Sequence, residues 1–206
     1  MKLQISFDDL TIEENLEIAR KVSKFADMIE IGTLPILNSG VATVREFRKE
    51  FPEHKLFADT KIIDRGRDIA TLFAEAGADW ISIMGGTSKE VIHGACTKAH
   101  DMGKKVMLDI LDANSPGQAA LESKSLGVDA IMFHQPFDQG ESVFFLEDWT
   151  MVRGNTKLPI FISAKIGREN IDQIIALKPD GIIIGRAITK SDDPITEAQF
   201  FYDKCK

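Results

Sequence analysis

Eight short apolar segments, most followed by an amphipathic stretch, place this chain in the α/β class as a single (β/α)8 TIM barrel spanning residues 1–206. The apolar segments are rich in Ile, Val, Phe and Met. They lack the sustained polar–apolar alternation of a half-exposed sheet, as parallel strands covered on both faces do. Gly77, Gly103 and Gly127 each fall between a helical stretch and the next strand, where a left-handed cap belongs. An open doubly wound sheet would ask for a glycine-rich phosphate loop after the first strand. Phe7-Asp8-Asp9-Leu10 is nothing like one.

The first strand, Leu3–Phe7, opens the chain and reads as structure rather than as a targeting leader. A helical stretch, Ile12–Phe25, leads to the second strand, Met28–Ile31. Helix Val41–Glu50 precedes the third strand, Leu56–Ala58, and helix Arg67–Ala76 follows it. The alternation continues through strand Trp80–Met84, helix Lys89–Asp101, strand Val106–Ile110, helix Pro116–Ser125 and strand Ala130–Phe133. Ile160–Ser163 and Gly181–Ile184 complete the eight strands. No linker or low-complexity segment divides the chain, and no apolar run approaches membrane-spanning length.

A content of 44% hydrophobic and 28% charged residues suits a globular domain with a real core. Lys and Arg number 25 against 32 acids, a net charge of −7. That argues against a nucleic-acid or anionic-membrane surface and leaves room for a local basic pocket. Cys96 and Cys205 show no metal-ligand spacing and fit a reducing cytoplasmic compartment.

Catalytic side chains of a barrel sit at the C-terminal ends of its strands, so the strand tips carry the chemistry. In order they offer Asp8, Glu30, Asp59 with Lys61, Gly85-Gly86, Asp109, His134 followed by Asp138, Ser163-Ala164-Lys165, and Gly185-Arg186. Alternate strand residues share a face, so Asp59 and Lys61 point the same way, with Asp64 in the loop beyond. An isolated D-x-K-x-x-D reads as a surface ion-pair cluster; a ring of acids around one lysine and one histidine reads as a site. So many converging carboxylates call for a divalent cation with oxygen ligands, a donor set that suits Mg2+ and Mn2+ alike. Barrels often grip phosphate after strands seven and eight, and the Arg186 guanidinium matches phosphate geometry. A small phosphorylated sugar held across the barrel mouth is the expected substrate.

The same residues carry a resemblance. Met1-Lys2-Leu3-Gln4, Ile29-Glu30-Ile31-Gly32-Thr33, Ala58-Asp59-Thr60-Lys61-Ile62-Ile63-Asp64, Gly77-Ala78-Asp79, Leu108-Asp109, His134 with Asp138, and Ile184-Gly185-Arg186-Ala187-Ile188-Thr189 before Asp193-Pro194 span nearly the whole chain. Together they resemble the orotidine monophosphate decarboxylase suprafamily, in the branch of 3-hexulose-6-phosphate synthases and 3-keto-L-gulonate-6-phosphate decarboxylases. The resemblance implies Glu30 and Asp59 as Mg2+ ligands and Lys61 as the cation stabilising a 1,2-enediolate. It implies Asp8 as a substrate-hydroxyl contact holding Lys61, and Asp109 and His134 as residues at the reacting carbons. Asp64 matches an aspartate lent to a neighbouring subunit, hence a homodimer, and Gly185 and Arg186 match a phosphate grip.

Within that branch, Ser82 and Asp109 resemble the synthases, where decarboxylases tend to carry Cys and Glu, and Phe137 stands where decarboxylases carry an arginine. The resemblance therefore implies aldol addition of D-ribulose 5-phosphate to formaldehyde. The alternatives are the decarboxylase, a lyase acting on another phosphosugar, and a non-catalytic sugar-phosphate-binding barrel. Two departures stand out: Ala164-Lys165 replaces the branch's Gly-Gly pair, and Gln135-Pro136-Phe137 differs from both groups.

Overall fold

The computed structural model describes residues 1–136 and 146–206. Eight parallel strands close into a barrel in sequence order: β1 (Lys2–Phe7), β2 (Met28–Ile31), β3 (Leu56–Ile62), β4 (Trp80–Met84), β5 (Lys105–Asp109), β6 (Ala130–His134), β7 (Ile160–Ser163) and β8 (Gly181–Ile184), which pairs back onto β1. The helices are α1 (Ile12–Val22), α2 (Thr33–Ser39), α3 (Val41–Glu50), α4 (Gly66–Ala76), α5 (Lys89–Asp101), α6 (Pro116–Ser123), α7 (Leu146–Asn155), α8 (Ile171–Ala176), α9 (Arg186–Thr189) and α10 (Pro194–Cys205). The first helix stops three residues short of the expected Phe25, because Ser23–Phe25 tightens into a 3₁₀ turn. Thr11 starts it with a reciprocal cap to Glu14. Gly77, Gly103 and Gly127 all take the left-handed conformation expected of helix caps.

Most strands divide their residues between two apolar bodies. Leu3, Ile5 and Phe7 of β1, Ile29 and Ile31 of β2, and Ile81 and Ile83 of β4 pack with the helices. Met28, Phe57, Met107, Ala130, Met132, Phe161 and Ile183 form a separate cluster that plugs the barrel interior. Gly181 belongs to this plug by necessity, since a Cβ there would lie 2.4 Å from the Phe161 ring. Two residues further along the same faces, the interior turns polar: Glu30 follows Met28, Asp59 follows Phe57, Asp109 follows Met107, and His134 follows Met132. The apolar plug thus forms the floor beneath the polar groups.

At the opposite end, four aspartates repeat one contact. Asp27, Asp79, Asp129 and Asp180 each immediately precede an even-numbered strand. Each accepts the first free backbone N–H of the strand before it, from Leu3 (2.9 Å), Leu56 (3.0 Å), Val106 (2.8 Å) and Ile160 (2.9 Å). The last three are also held by Arg48, His100 and Arg153 from the helices entering those odd strands. The barrel is pinned as four pairs of βα units. Arg48 further donates to the Gly77, Phe51, Pro52 and His54 carbonyls.

Burial works against the Asp79 charge, but the Leu56 N–H and the Arg48 guanidinium outweigh it and hold the carboxyl below its ordinary pKa of 3.8. A depressed carboxylate stabilises the fold above its unfolded pKa and loses that effect as pH falls through the folded one. Asp79→Asn should therefore lower unfolding free energy by about 1–3 kcal/mol at neutral pH. The gap to wild type should shrink below about pH 4. Urea titrations across this range measure it; a pH-independent gap would mean the charge plays no part.

Candidate active site

The strand tips open into a cavity of about 1040 Å3. Of the residues expected from the sequence, Asp8, Glu30, Asp59, Lys61, His134, Ser163, Ala164, Lys165, Gly185 and Arg186 all line it. Asp109 and Asp64 do not. Asp109 is wholly buried beneath Lys61 and His134, and Asp64 is exposed in the loop after β3. Phe137 and Asp138 lie outside the described residues.

The third strand departs most from expectation. It runs on to Ile62 instead of ending at Ala58, because its register with β4 slips: Ala58 pairs with Ile81, and Ile62 with Ile83. Four residues of β3 thus advance against two of β4, and the strand bulges. The Lys61 backbone is left-handed, with φ 44°. Its side chain turns inward, with Nζ 3.2 Å from Asp59 Oδ2 and 3.0 Å from Asp109 Oδ2. Burial alone would lower the Lys61 pKa, but the Asp59 and Asp109 carboxylates hold it above its ordinary value. The ammonium stays charged.

Asp109 organises this half of the site. Its Oδ2 meets both Lys61 Nζ and His134 Nδ1, the latter at 2.9 Å, while Oδ1 accepts the Leu111 N–H at 3.0 Å. Burial pushes its pKa up, yet His134, Lys61 and the Leu111 amide outweigh that and bring it below the usual value. An ionised carboxylate only accepts hydrogen bonds, so Nδ1 of His134 donates. Nε2 is left as the ring nitrogen for the cavity.

On the other wall three carboxylates crowd together. Ser6 Oγ lies 2.8 Å from both Asp8 Oδ2 and Glu30 Oε1, so its single hydrogen serves two acids. Glu30 also accepts from Gln4 Nε2, and Asp59 Oδ2 accepts from Thr33 Oγ1 at 2.6 Å. Burial, followed by repulsion from Asp59 and Asp8, pushes the Glu30 pKa up to about 8. Asp8 opens to solvent at the mouth, but protein crowds its carboxyl closely enough to raise its pKa as well, and Asp59 adds to the shift. Gly32 leaves room for this carboxyl, since a Cβ there would fall 1.9 Å from Asp8 Oδ1.

The opposite rim is cationic. Lys165 is exposed yet faces the cavity, alongside Arg186, Arg168 and Lys190. The β7–α8 loop carrying Lys165 is tied to α10: Arg168 pairs with Glu197 at 2.9 Å and stacks 4.0 Å above the Phe200 ring. Lys190 pairs with Asp9 across the seam between β8 and β1. Sequence reasoning did not single out Arg168 or Lys190, nor the supporting hydroxyls of Ser6 and Thr33. Ser6 was findable, lying two residues before Asp8 on the same face of β1. Arg168 and Lys190 had no such signal, because nothing local marks a cation that bridges distant loops.

The chain's similarities agree with this geometry. A family model described as "Orotidine 5'-phosphate decarboxylase / HUMPS family" matches residues 1–201. The 3-hexulose-6-phosphate synthase of Bacillus subtilis (strain 168) is 34% identical over 195 residues, covering 94% of this chain and 93% of the relative. A second relative, 3-hexulose-6-phosphate synthase 3 of Staphylococcus saprophyticus, is 32% identical over 203 residues, with 97% and 96% covered. Among solved structures, 3-hexulose-6-phosphate synthase from Salmonella typhimurium superposes with a TM-score of 0.93 at 29% identity over 99% of this chain and 98% of that one. The 3-keto-L-gulonate-6-phosphate decarboxylase from Vibrio cholerae shares the fold, with a TM-score of 0.85 at 23% identity and coverage of 98% and 96%.

Proposed function

The chain belongs to the orotidine 5′-phosphate decarboxylase / HUMPS family, and we propose that its activity is that of a 3-hexulose-6-phosphate synthase. It is an aldehyde-lyase that joins D-ribulose 5-phosphate to formaldehyde through a 1,2-enediolate. The observation that carries the reading is one buried carboxylate, Asp109, holding an ammonium and an imidazole at a cavity whose far rim is cationic. Whole-chain relatives named as synthases set the choice among the family's activities.

In this reading the phosphate lies against Ser163, Ala164, Lys165, Gly185 and Arg186, and the sugar spans toward Asp8. Removal of a C1 proton places negative charge on the sugar oxygens, where the Lys61 ammonium stabilises it. Nε2 of His134 takes or returns a proton, with Nδ1 fixed on Asp109. The enediolate carbon then attacks formaldehyde, forming the new C–C bond, and the resulting alkoxide is protonated.

Mg2+ is part of the proposal. The fit rests on Glu30 and Asp59, oxygen donors in a cluster where burial, and then repulsion from Asp59 and Asp8, raises the Glu30 pKa. Among the described residues no group of three or more His, Cys, Asp or Glu side chains forms a metal cage. Mg2+ needs none, since it commonly takes one or two carboxylates and completes its shell with substrate and water oxygens. When bound, it supplies Lewis-acid polarisation of the substrate oxygens.

Assays of purified protein with ribulose 5-phosphate plus formaldehyde, and separately with 3-keto-L-gulonate 6-phosphate, test the function. Faster decarboxylation than condensation would replace the synthase reading with the decarboxylase. Inertness toward both would leave a phosphosugar binder or another lyase.

A homodimer with shared sites is also proposed. Leu10, Leu34, Leu37 and Ile63 are 58%, 49%, 77% and 65% exposed on the loops and helix following β1 to β3. Asp64 adjoins Ile63 and does not line its own cavity. Mixing inactive Asp64→Ala and Lys61→Ala chains should restore part of the activity, because one site of each heterodimer receives both intact residues. No restoration despite proven subunit exchange would place Asp64 in its own chain's site. The protein is proposed to work in the cytoplasm; no described helix is long and apolar enough to cross a membrane.

A further inference from the structure

We propose that Ser82 is a positioning residue that holds Lys61 and Asp59 in their working geometry. A left-handed backbone is sparsely populated for a residue bearing a long side chain, and it persists only where the surroundings enforce it. Lys61 adopts it inside a strand, at the slip in register between β3 and β4. The Lys61 N–H donates to Ser82 Oγ at 2.9 Å. Ser82 Oγ donates in turn to Asp59 Oδ1 at 2.8 Å.

A serine hydroxyl has one hydrogen, so the direction of both bonds is settled: it accepts from residue 61 and donates to residue 59. The Ser82 carbonyl accepts from Thr60 Oγ1 at 2.7 Å, stitching the bulge at the residue between them. Three consecutive residues of β3 are therefore fastened to one residue of β4. Ser82 is fully buried and does not line the cavity, so it reaches the substrate only through the groups it fixes. With its backbone held there, Lys61 places one ammonium between Asp59 and Asp109. A strand in regular register would not hold its backbone in this conformation.

The test compares wild type, Ser82→Ala and Ser82→Cys in the full chain by two independent readouts. The Lys61 13Cα and 13Cβ shifts and amide exchange report the backbone directly, without reference to any activity. Ser82→Ala should lose the left-handed shifts and exchange the Lys61 amide at least about tenfold faster. The kinetic readout rests on the synthase reading. There kcat should fall by about 10²-fold, as expected when a catalytic group shifts by about 1 Å. KM should stay within about threefold, because Ser82 is remote from the phosphate grip.

Cysteine keeps the size but accepts hydrogen bonds weakly, so Ser82→Cys should lie between the other two in kcat. Should the alanine variant fail to fold, the cysteine variant carries both readouts. Wild-type shifts and exchange at Lys61 in the folded variant would overturn the proposal, as would a kcat within about twofold of wild type. A wild type inert toward ribulose 5-phosphate and formaldehyde would defeat the functional reading alone. The spectroscopic readout would still decide the role of Ser82.

Discussion

Lys61→Ala is expected to abolish measurable turnover while the barrel remains folded. A single preorganised donor at a developing oxyanion is worth roughly 3–4 kcal/mol, a loss of about 10²–10³-fold or more in rate. Among the described residues, Lys61 and, beside Asp109, His134 are the cationic partners within salt-bridge distance of the buried Asp59 and Asp109 carboxylates. Its removal takes positive charge from the transition state and leaves Asp59 facing the other acids. Asp109 keeps His134 and the Leu111 amide, so collapse of the fold is not expected. Circular dichroism and steady-state kinetics on the purified variant settle the matter. Near-normal turnover would remove Lys61 from the mechanism and reduce the cluster to a structural ion pair.

Chelation is the second large effect. Excess chelator should abolish activity, and added Mg2+ or Mn2+ should restore it. Glu30, Asp59 and Asp8 gather on one wall, each carboxylate repelling its neighbours, so a divalent cation would relieve their repulsion. Calorimetric titration of the resting protein with Mg2+ gives a readout apart from catalysis. Glu30→Gln, which keeps the shape and removes the charge, should weaken that binding by at least about tenfold, in line with the loss of a carboxylate ligand. Full activity in excess chelator, together with no measurable Mg2+ binding, would end the assignment of Glu30 and Asp59 as ligands.

Much of this was legible in the order of residues. Parallel strands buried on both faces write themselves as short runs of Ile, Val, Phe and Met, so the count of eight, and most boundaries, could be read directly. A barrel then requires polar residues at the strand ends to converge, which is why Asp8, Glu30, Asp59, Lys61 and His134 could be named before any coordinates and do share one cavity. The Lys165 departure from the family pattern was visible too, although whether it faced the cavity or solvent was not. Phe137, which stands where the resemblance places a decarboxylase arginine, falls outside the described residues.

What needed the folded chain was everything that depends on register between strands or on contacts between distant loops. A run of apolar residues does not reveal that β3 advances four residues while β4 advances two, nor that Lys61 takes a left-handed backbone to bridge Asp59 and Asp109. It does not distinguish Asp109, sealed beneath the site, from Asp64, which stands outside it, since both are simply acids near strand ends. The hydroxyls of Ser6, Thr33 and Ser82 gain their roles from neighbours 2, 24, 26, 23 and 21 residues away. Local patterning decides which segments are strands, because burial of apolar side chains acts residue by residue. Hydrogen bonds between strands decide which polar groups meet, and their geometry exists only once the barrel has closed.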